Sequence, residues 1–320
     1  MNWGIISCAN IAINNIIPAL KRIYKDKRSI TLSSRDINKA KELAIKFNCD
    51  YAASYEALLE DDSIDAVYIP LPNALHFEWV KKSLLKGKHV LVEKPTTMNF
   101  EQSKLLVELA KSRNLALVEN FQFQFHSQHE YVKELIKSEE IGEIRSFRSS
   151  FGFPPFSESD NIRYKRNLGG GALLDAGAYV LKATTFIMGN GFQVESSFLK
   201  YHDEYKVDWF GGAFLVNKEK DIFSEVAFGF DNFYQCNYEI WGSKGKITST
   251  RAFTAKHDYI PSIILEKQGF LKEIKLQKDD HFVNMLNYFI NLCRVGNFDI
   301  EWNKILEQAR LIDQVNQYNT

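Results

Sequence analysis

Through its first 120 residues the chain repeats one pattern, a short apolar, β-branched run followed by a stretch with helical spacing. The apolar runs fall at 3–7, 30–34, 66–70, 89–92 and 115–118, and the helical stretches at 11–24, 37–47, 75–86 and 102–112. Apolar runs this short and continuous read as strands buried on both faces. Strict alternation with helices then dictates a parallel sheet covered on both sides. Pro18 is the weak point of the first helix, because it cannot donate a backbone hydrogen bond. Asp36 can cap the second helix, in which Ile37, Ala40, Leu43, Ala44 and Phe47 share one face. The pattern predicts a doubly wound, dinucleotide-binding domain ending near Asn120. In such sheets ligands bind beyond the carboxyl ends of the strands.

The middle of the chain changes character. Runs at 144–153, 192–199, 210–216, 222–230, 234–241, 246–249 and 262–266 read as strands separated by polar turns such as Asn217-Lys218-Glu219-Lys220. No long helix intervenes between the later ones, so a large, mostly antiparallel sheet is expected. Amphipathic stretches at 281–294 and 302–318 close the chain. The expected fold class is therefore α/β, with a dinucleotide-binding domain over 1–120 and a second, substrate and assembly domain over 121–320. A length of 320 residues suits two domains. A formal net charge of +0 gives no reason to expect a nucleic acid or anionic membrane partner. No apolar run approaches the ~20 residues of a membrane span. The start of the chain lacks the basic and apolar regions of a signal peptide. Cys8, Cys49, Cys236 and Cys293 are widely spaced, which reads as reduced thiols of a cytoplasmic protein, with no metal site.

The turns after the strands carry the chemistry. The segment GKHVLVEKP at 87–95 ends a buried strand in Glu93, Lys94 and Pro95, at the edge where ligands bind. The first turn reads Ser7-Cys8-Ala9-Asn10-Ile11-Ala12, where a dinucleotide fold normally has GxGxxG or GxGxxA. Only the last small residue survives, yet the position predicts a phosphate cradle, with Ser7, Cys8, Asn10 and Ile11 against the cofactor. The second strand ends Ser33-Ser34-Arg35. Ser34 can donate a hydrogen bond, and the Arg35 guanidinium matches a 2′-phosphate, which favours NADP(H) over NAD(H). Asp36 could instead face the ribose, but the helical period begins at once with Ile37, and it is assigned to capping.

Three segments in this order and spacing resemble the Gfo/Idh/MocA oxidoreductases: DAVYIPLPNALH at 65–76, GKHVLVEKP at 87–95 and LGGGALLDAGAY at 168–179. The resemblance runs over nearly the whole chain. It implies an N-terminal Rossmann domain, a C-terminal α/β domain with an open sheet that commonly forms a homodimer or homotetramer interface, and hydride transfer between NAD(P) and a sugar-like alcohol or ketone. It also implies Lys94, Asp175 and Tyr179 as the catalytic set. Reduction of a ketone needs a proton donor within hydrogen-bond reach of the carbonyl oxygen. Tyr179 is assigned that role, Lys94 holds and polarises the oxygen or itself carries the proton, and Asp175, four residues before Tyr179 on one helix face, orients the oxygen or the lysine. A core aromatic is the alternative for Tyr179. The resemblance places Leu71, Pro72, Asn73, His76, Glu93 and Arg163 at the cofactor, although Asn73 could equally cap a helix. Tyr164 is assigned to the substrate, and so is Lys182, at a position where the chain departs from the family. The run Gly169-Gly170-Gly171 is read as permitting close chain approach.

The departures fall mainly on the substrate side. QFQFHS at 122–127 stands where sugar-acting relatives resemble MYRFHP, and Lys182 stands where many have Asp or Asn. Lys182 is either a solvated helix residue or a phosphate contact, with Lys165 and Arg166 as further candidates for a diphosphate. The stretch 160–179 most resembles reductases of nucleotide-linked keto sugars. Dihydrodiol, polyol or aldose dehydrogenases and imine reductases share the same catalytic set. A dinucleotide-sensing regulator is the non-catalytic alternative.

Overall fold

The computed structural model describes residues 1–25, 29–157 and 160–319. The chain packs as two units. The first comprises Met1–Asn120 with Phe282–Ala309, and the second Phe121–His281 with the residues from Arg310 onward.

The first unit is built on six parallel strands: β1 Trp3–Ile6, β2 Ile30–Ser33, β3 Asp50–Tyr51, β4 Ala66–Ile69, β5 His89–Glu93 and β6 Leu117–Asn120. Their order is β3-β2-β1-β4-β5-β6, so the sheet winds outward in both directions from β1 and β4. Helices α1 Ile17–Tyr24, α2 Ile37–Phe47, α3 Tyr55–Glu60, α4 Asn73–Leu85 and α5 Phe100–Ser112 connect them. The parallel, doubly wound sheet is the one expected. Strand β3 and helix α3 were not, because two exposed residues and a six-residue helix carry too little periodicity to register. The last strand sits two residues later than expected. Leu115 N–H still closes α5 on Ala110 O, so pairing with β5 begins only afterwards. The first helix is not uniform. A π-helical turn over Ala12–Ile16 precedes α1, with Pro18 in the first turn of the α-helical part, where its missing N–H costs least.

The second unit carries eight strands: β7 Ile144–Gly152, β8 Gln193–Tyr201, β9 Asp208–Asn217, β10 Ile222–Gly229, β11 Gln235–Gly242, β12 Gly245–Ser249, β13 Ser262–Lys267 and β14 Phe270–Lys275. All neighbours are antiparallel except β7 and β10. Edge strand β14 escaped the sequence reading because it is exposed nearly throughout and shows no alternation. Helices α6 Ser127–Lys137 and α7 Ala178–Met188 belong to this unit. Helices α8 His281–Val295 and α9 Asp299–Gln317 end the chain. Residues Phe282–Ala309 return to the first unit, where Phe289 packs on Trp3 at 5.1 Å and Phe298 on His89 at 5.8 Å between ring centroids.

The turn before α7 depends on two close approaches. A Cβ at Gly170 would lie 2.4 Å from Arg163 O, and one at Gly171, whose φ is +122°, would lie 2.1 Å from Asp208 Oδ1. Only glycine fits there, as the sequence reading of this run requires. Asp208 is buried at the start of β9 and accepts the Leu173 N–H. Its carboxylate thus satisfies a helix N-terminus that would otherwise be buried without an acceptor. Burial pushes its pKa up to about 6, against the opposing pull of the Leu173 and Ala172 N–H groups. A folded-state pKa above the unfolded one contributes stability below pH ~4 that is lost as pH rises through about 6. Asp208→Asn keeps an acceptor but cannot ionise. The melting temperature of the wild type relative to this variant should therefore rise between pH 7 and pH 4. The gain should be at most about 3 kcal/mol, at ~1.4 kcal/mol per pH decade. A gap that does not move with pH would remove the ionisation from this account.

Candidate active site

In the first unit, Ser7 leaves β1 with φ 104° and donates its N–H to Ser33 O at 3.1 Å. This is a backbone state glycine adopts freely and serine holds at a cost on the order of 1–3 kcal/mol. The turn thus keeps a glycine-type conformation without the glycine. Cys8 is buried with Sγ 3.7 Å from Ser33 O, and burial raises its thiol pKa, so it is not poised as a nucleophile. Asn10 is exposed and Ile11 half-buried at the start of the helical stretch. After β2, Ser34 Oγ accepts the Asp36 N–H at 3.2 Å and Arg35 is exposed. Asp36 Oδ1 accepts from Asn38 N at 2.9 Å and Lys39 N at 3.4 Å, so its carboxylate is engaged in the expected cap.

After β4, Leu71 is buried and Pro72 occupies the cap position of α4. Asn73 is the first helical residue, so the capping role considered for it does not hold. His76 is fully buried, with Nδ1 2.8 Å from Pro95 O and Nε2 2.8 Å from Leu71 O. Both ring nitrogens are thus engaged by backbone. His76 ties the loop after β4 to the loop after β5 instead of presenting an edge to a cofactor. Burial lowers its pKa to about 4, which keeps the ring neutral near pH 7. At the end of β5, Glu93 Oε1 accepts from Tyr68 Oη at 2.5 Å and Asn120 Nδ2 at 2.6 Å, and burial raises the Glu93 pKa. Lys94 follows, half-buried, with a cis peptide to Pro95. Asn120 Oδ1 is buried with no partner among the described residues, an acceptor to which a ligand amide or hydroxyl could donate. The glycine-type turn, the exposed Arg35 and this acceptor suit a dinucleotide at the carboxyl edge of the sheet.

In the second unit, Arg163 and Asp175 form an ion pair, Nε to Oδ2 2.5 Å. The Asp175 carboxylate raises the Arg163 pKa, burial opposing. Arg163 was expected at the cofactor, and the structure instead engages its Nε with the expected catalytic carboxylate. Asp175 sits in a π-helical turn over Leu173–Gly177, one turn ahead of Tyr179 in α7, so the uniform helix assumed for this pair is not formed. Tyr179 is nearly buried, its ring boxed by Phe121, Phe151 and Phe253 at 5.3–5.7 Å. Gln122 Nε2 donates to its hydroxyl at 3.2 Å.

Two expected substrate residues stand differently. Tyr164 is buried, stacks on Tyr205 at 5.0 Å, and its hydroxyl accepts the Phe156 N–H at 2.7 Å, so it anchors a loop. Lys182 is only 3% exposed, with Nζ 5.1 Å from the centroid of the Phe121 ring, and is not a solvated lysine. Lys165 pairs with Asp160, and Arg166 is exposed. Sequence reasoning missed Tyr68, Asn120, Gln122 and Asp208. Tyr68 lies within the 65–76 segment and Gln122 within the 122–127 run, but neither segment marks them as functional, and only strand register and helix packing bring each of the four to its partner.

Two family models match the chain. Residues 1–121 match the oxidoreductase family with an NAD-binding Rossmann fold, and residues 129–248 the GFO/IDH/MocA C-terminal domain. The chain is similar to a dTDP-3,4-didehydro-2,6-dideoxy-alpha-D-glucose 3-reductase from Actinomadura kijaniata, 37% identical over 98% of this chain and 93% of that protein. It is also similar to the crystal structure of a 3-ketoreductase from Actinomadura kijaniata in complex with NADP and TDP-benzene. The TM-score there is 0.94 and the identity 35%, over 100% of this chain and 98% of that one. An aldose–aldose oxidoreductase from Caulobacter crescentus shares the fold at TM-score 0.89 and 19% identity, over 99% of this chain and 97% of that one. The Rossmann sheet, the second sheet and the end-to-end likeness place the chain in the Gfo/Idh/MocA family, as an NAD(P)-dependent oxidoreductase.

Proposed function

We propose that this protein reduces the keto group of a nucleotide-linked sugar, with NADPH as the preferred reductant. The observation that carries the reading is the likeness, over 98% of the chain, to a dTDP-keto-sugar 3-reductase. The bound dinucleotide supplies the hydride. The turn from Ser7 to Ile11 and the exposed Arg35 would hold its phosphates, and Asn120 Oδ1 would accept from its amide. Tyr179 donates the proton to the substrate oxygen, and Gln122 fixes the direction of its hydroxyl. The aromatic box limits water at that hydroxyl. Lys94 polarises the substrate oxygen. Asp175, balanced by Arg163, remains an acceptor that orients the substrate.

The test is reduction of a TDP-linked keto sugar beside free keto sugars, followed by loss of NADPH absorbance. Lys94→Ala should abolish turnover while dinucleotide affinity stays within a few-fold, and Tyr179→Phe should lower kcat by about 10²–10⁴. A near-normal kcat in either variant would take that side chain out of the mechanism.

Cofactor choice rests on Arg35. NADP(H) should bind more tightly than NAD(H), and Arg35→Ala should remove about one to two decades of that difference, the usual worth of a charged hydrogen bond. Tighter wild-type binding of NAD(H) would reject this assignment.

The outer face of the second sheet supports a homo-oligomer. Phe198, Phe210, Phe214 and Trp241 are exposed there around the Arg148–Glu225 ion pair. Light scattering should return a dimer or tetramer, and Phe214→Lys with Trp241→Lys should shift it toward the monomer. A wild-type monomer at micromolar concentration would end the proposal.

A further inference from the structure

A nucleoside diphosphate attached to the sugar needs cations, and of the three expected to serve it only Arg166 is exposed. Lys165 pairs with Asp160, and Lys182 is buried against Phe121. The loop between β12 and β13 offers another set. Arg251, Lys256, Asp258, Tyr259 and Ile260 line a hollow of about 500 Å³. The Arg251 guanidinium lies 5.7 Å from the Tyr234 ring centroid and 5.5 Å from that of Tyr259. Its Nε is buried with no acceptor, and no carboxylate among the described residues pairs with it. A guanidinium held against aromatic rings and left without an anion is an unusual expense, since a buried donor without a partner costs stability.

The backbone beneath it is fixed. Gln128 Nε2 donates to Arg251 O at 3.3 Å, His129 Nε2 contacts Ala252 O at 3.1 Å, and Ala252 N–H donates to Cys236 O at 2.7 Å. The same segment reaches the proposed proton donor, because Phe253 packs on Tyr179 at 5.7 Å between centroids. Only Ala252 lies between Arg251 and Phe253, so their Cα atoms are at most about 7 Å apart along the chain. A ligand held by Arg251 is therefore within a small molecule's length of the Tyr179 box.

We infer that this hollow binds the nucleoside diphosphate part of the substrate, an inference that rests on the function proposed above. The Arg251 fork takes the diphosphate, Lys256 adds a second, exposed charge, and the tyrosine rings cover the nucleoside. Asp258 is exposed on the same rim. Its carboxylate repels a bare phosphate and accepts from a sugar hydroxyl, so the site favours a nucleoside diphosphate over inorganic pyrophosphate.

The test is calorimetric titration of the NADP⁺-saturated protein with TDP at low salt. Wild type should bind TDP more tightly than pyrophosphate. Arg251→Ala should weaken TDP by about ten- to a hundredfold and raise KM for the nucleotide-linked substrate in parallel, with NADP⁺ affinity unchanged. Arg145→Ala, an exposed arginine paired with Glu143, should leave TDP binding alone. If Arg251→Ala fails to fold, Lys256→Ala and Tyr259→Leu decide the matter, each weakening TDP at least about threefold. Unchanged TDP affinity in these variants, with turnover intact, would overturn the site and leave the function standing. A parallel fall in NADP⁺ affinity would overturn it by assigning the cations to the cofactor. A wild type that ignores TDP and reduces free sugars would reject the function, and the site with it.

Discussion

The parallel hydrogen-bond ladder of the first sheet is the constraint on which the rest of that unit depends. Ile6 pairs beside Ser33, Ile69 beside Val92, and Glu93 beside Asn120, so the strands end along one edge. The candidate cofactor-binding turns of this unit leave from that edge, because parallel strands place all their carboxyl ends together. The glycine-type turn at Ser7, the Arg35 turn, the His76 clamp and Lys94 are thus neighbours by register, although 87 residues separate the first from the last.

Buried polar groups then fix what the ladder only brings near. Glu93 joins Tyr68 and Asn120 across three strands, and His76 joins two loops through two carbonyls. In the second unit, Asp208 holds the start of the π-helical turn, and Arg163 balances Asp175. Each of these groups costs free energy to bury, and each becomes more costly when its partner is removed. Such networks contribute little net stability, but they select one arrangement over near alternatives.

The second sheet divides its faces by alternation. Ala213 and Leu215 are buried while Phe214, between them, is exposed. The same outward row continues through Glu225, Arg148 and Glu239 on neighbouring strands. A face that mixes large aromatics with paired charges is neither an ordinary solvated surface nor a core, and the proposed homo-oligomer rests on it.

The sequence by itself determined the alternation of the first 120 residues, seven of the eight strands of the second sheet, the cap at Asp36 and the family of the protein. These are local matters: hydrophobic period, turn chemistry and short motifs are written in neighbouring residues. The short β3 and α3 and the exposed edge strand β14 left no such trace. What the tertiary structure alone decided is which side chains are engaged with one another. Arg163 meets Asp175 only because Gly170 and Gly171 let the chain pass against Arg163 and Asp208. Lys182 is buried because the helix that carries it packs on both sides, although its charge suggests solvent. Gln122 reaches Tyr179 across 57 residues, and His76 spans 19 residues to Pro95. Such pairings are set by register and close packing, which couple positions far apart in the chain, and no local pattern of residues encodes them.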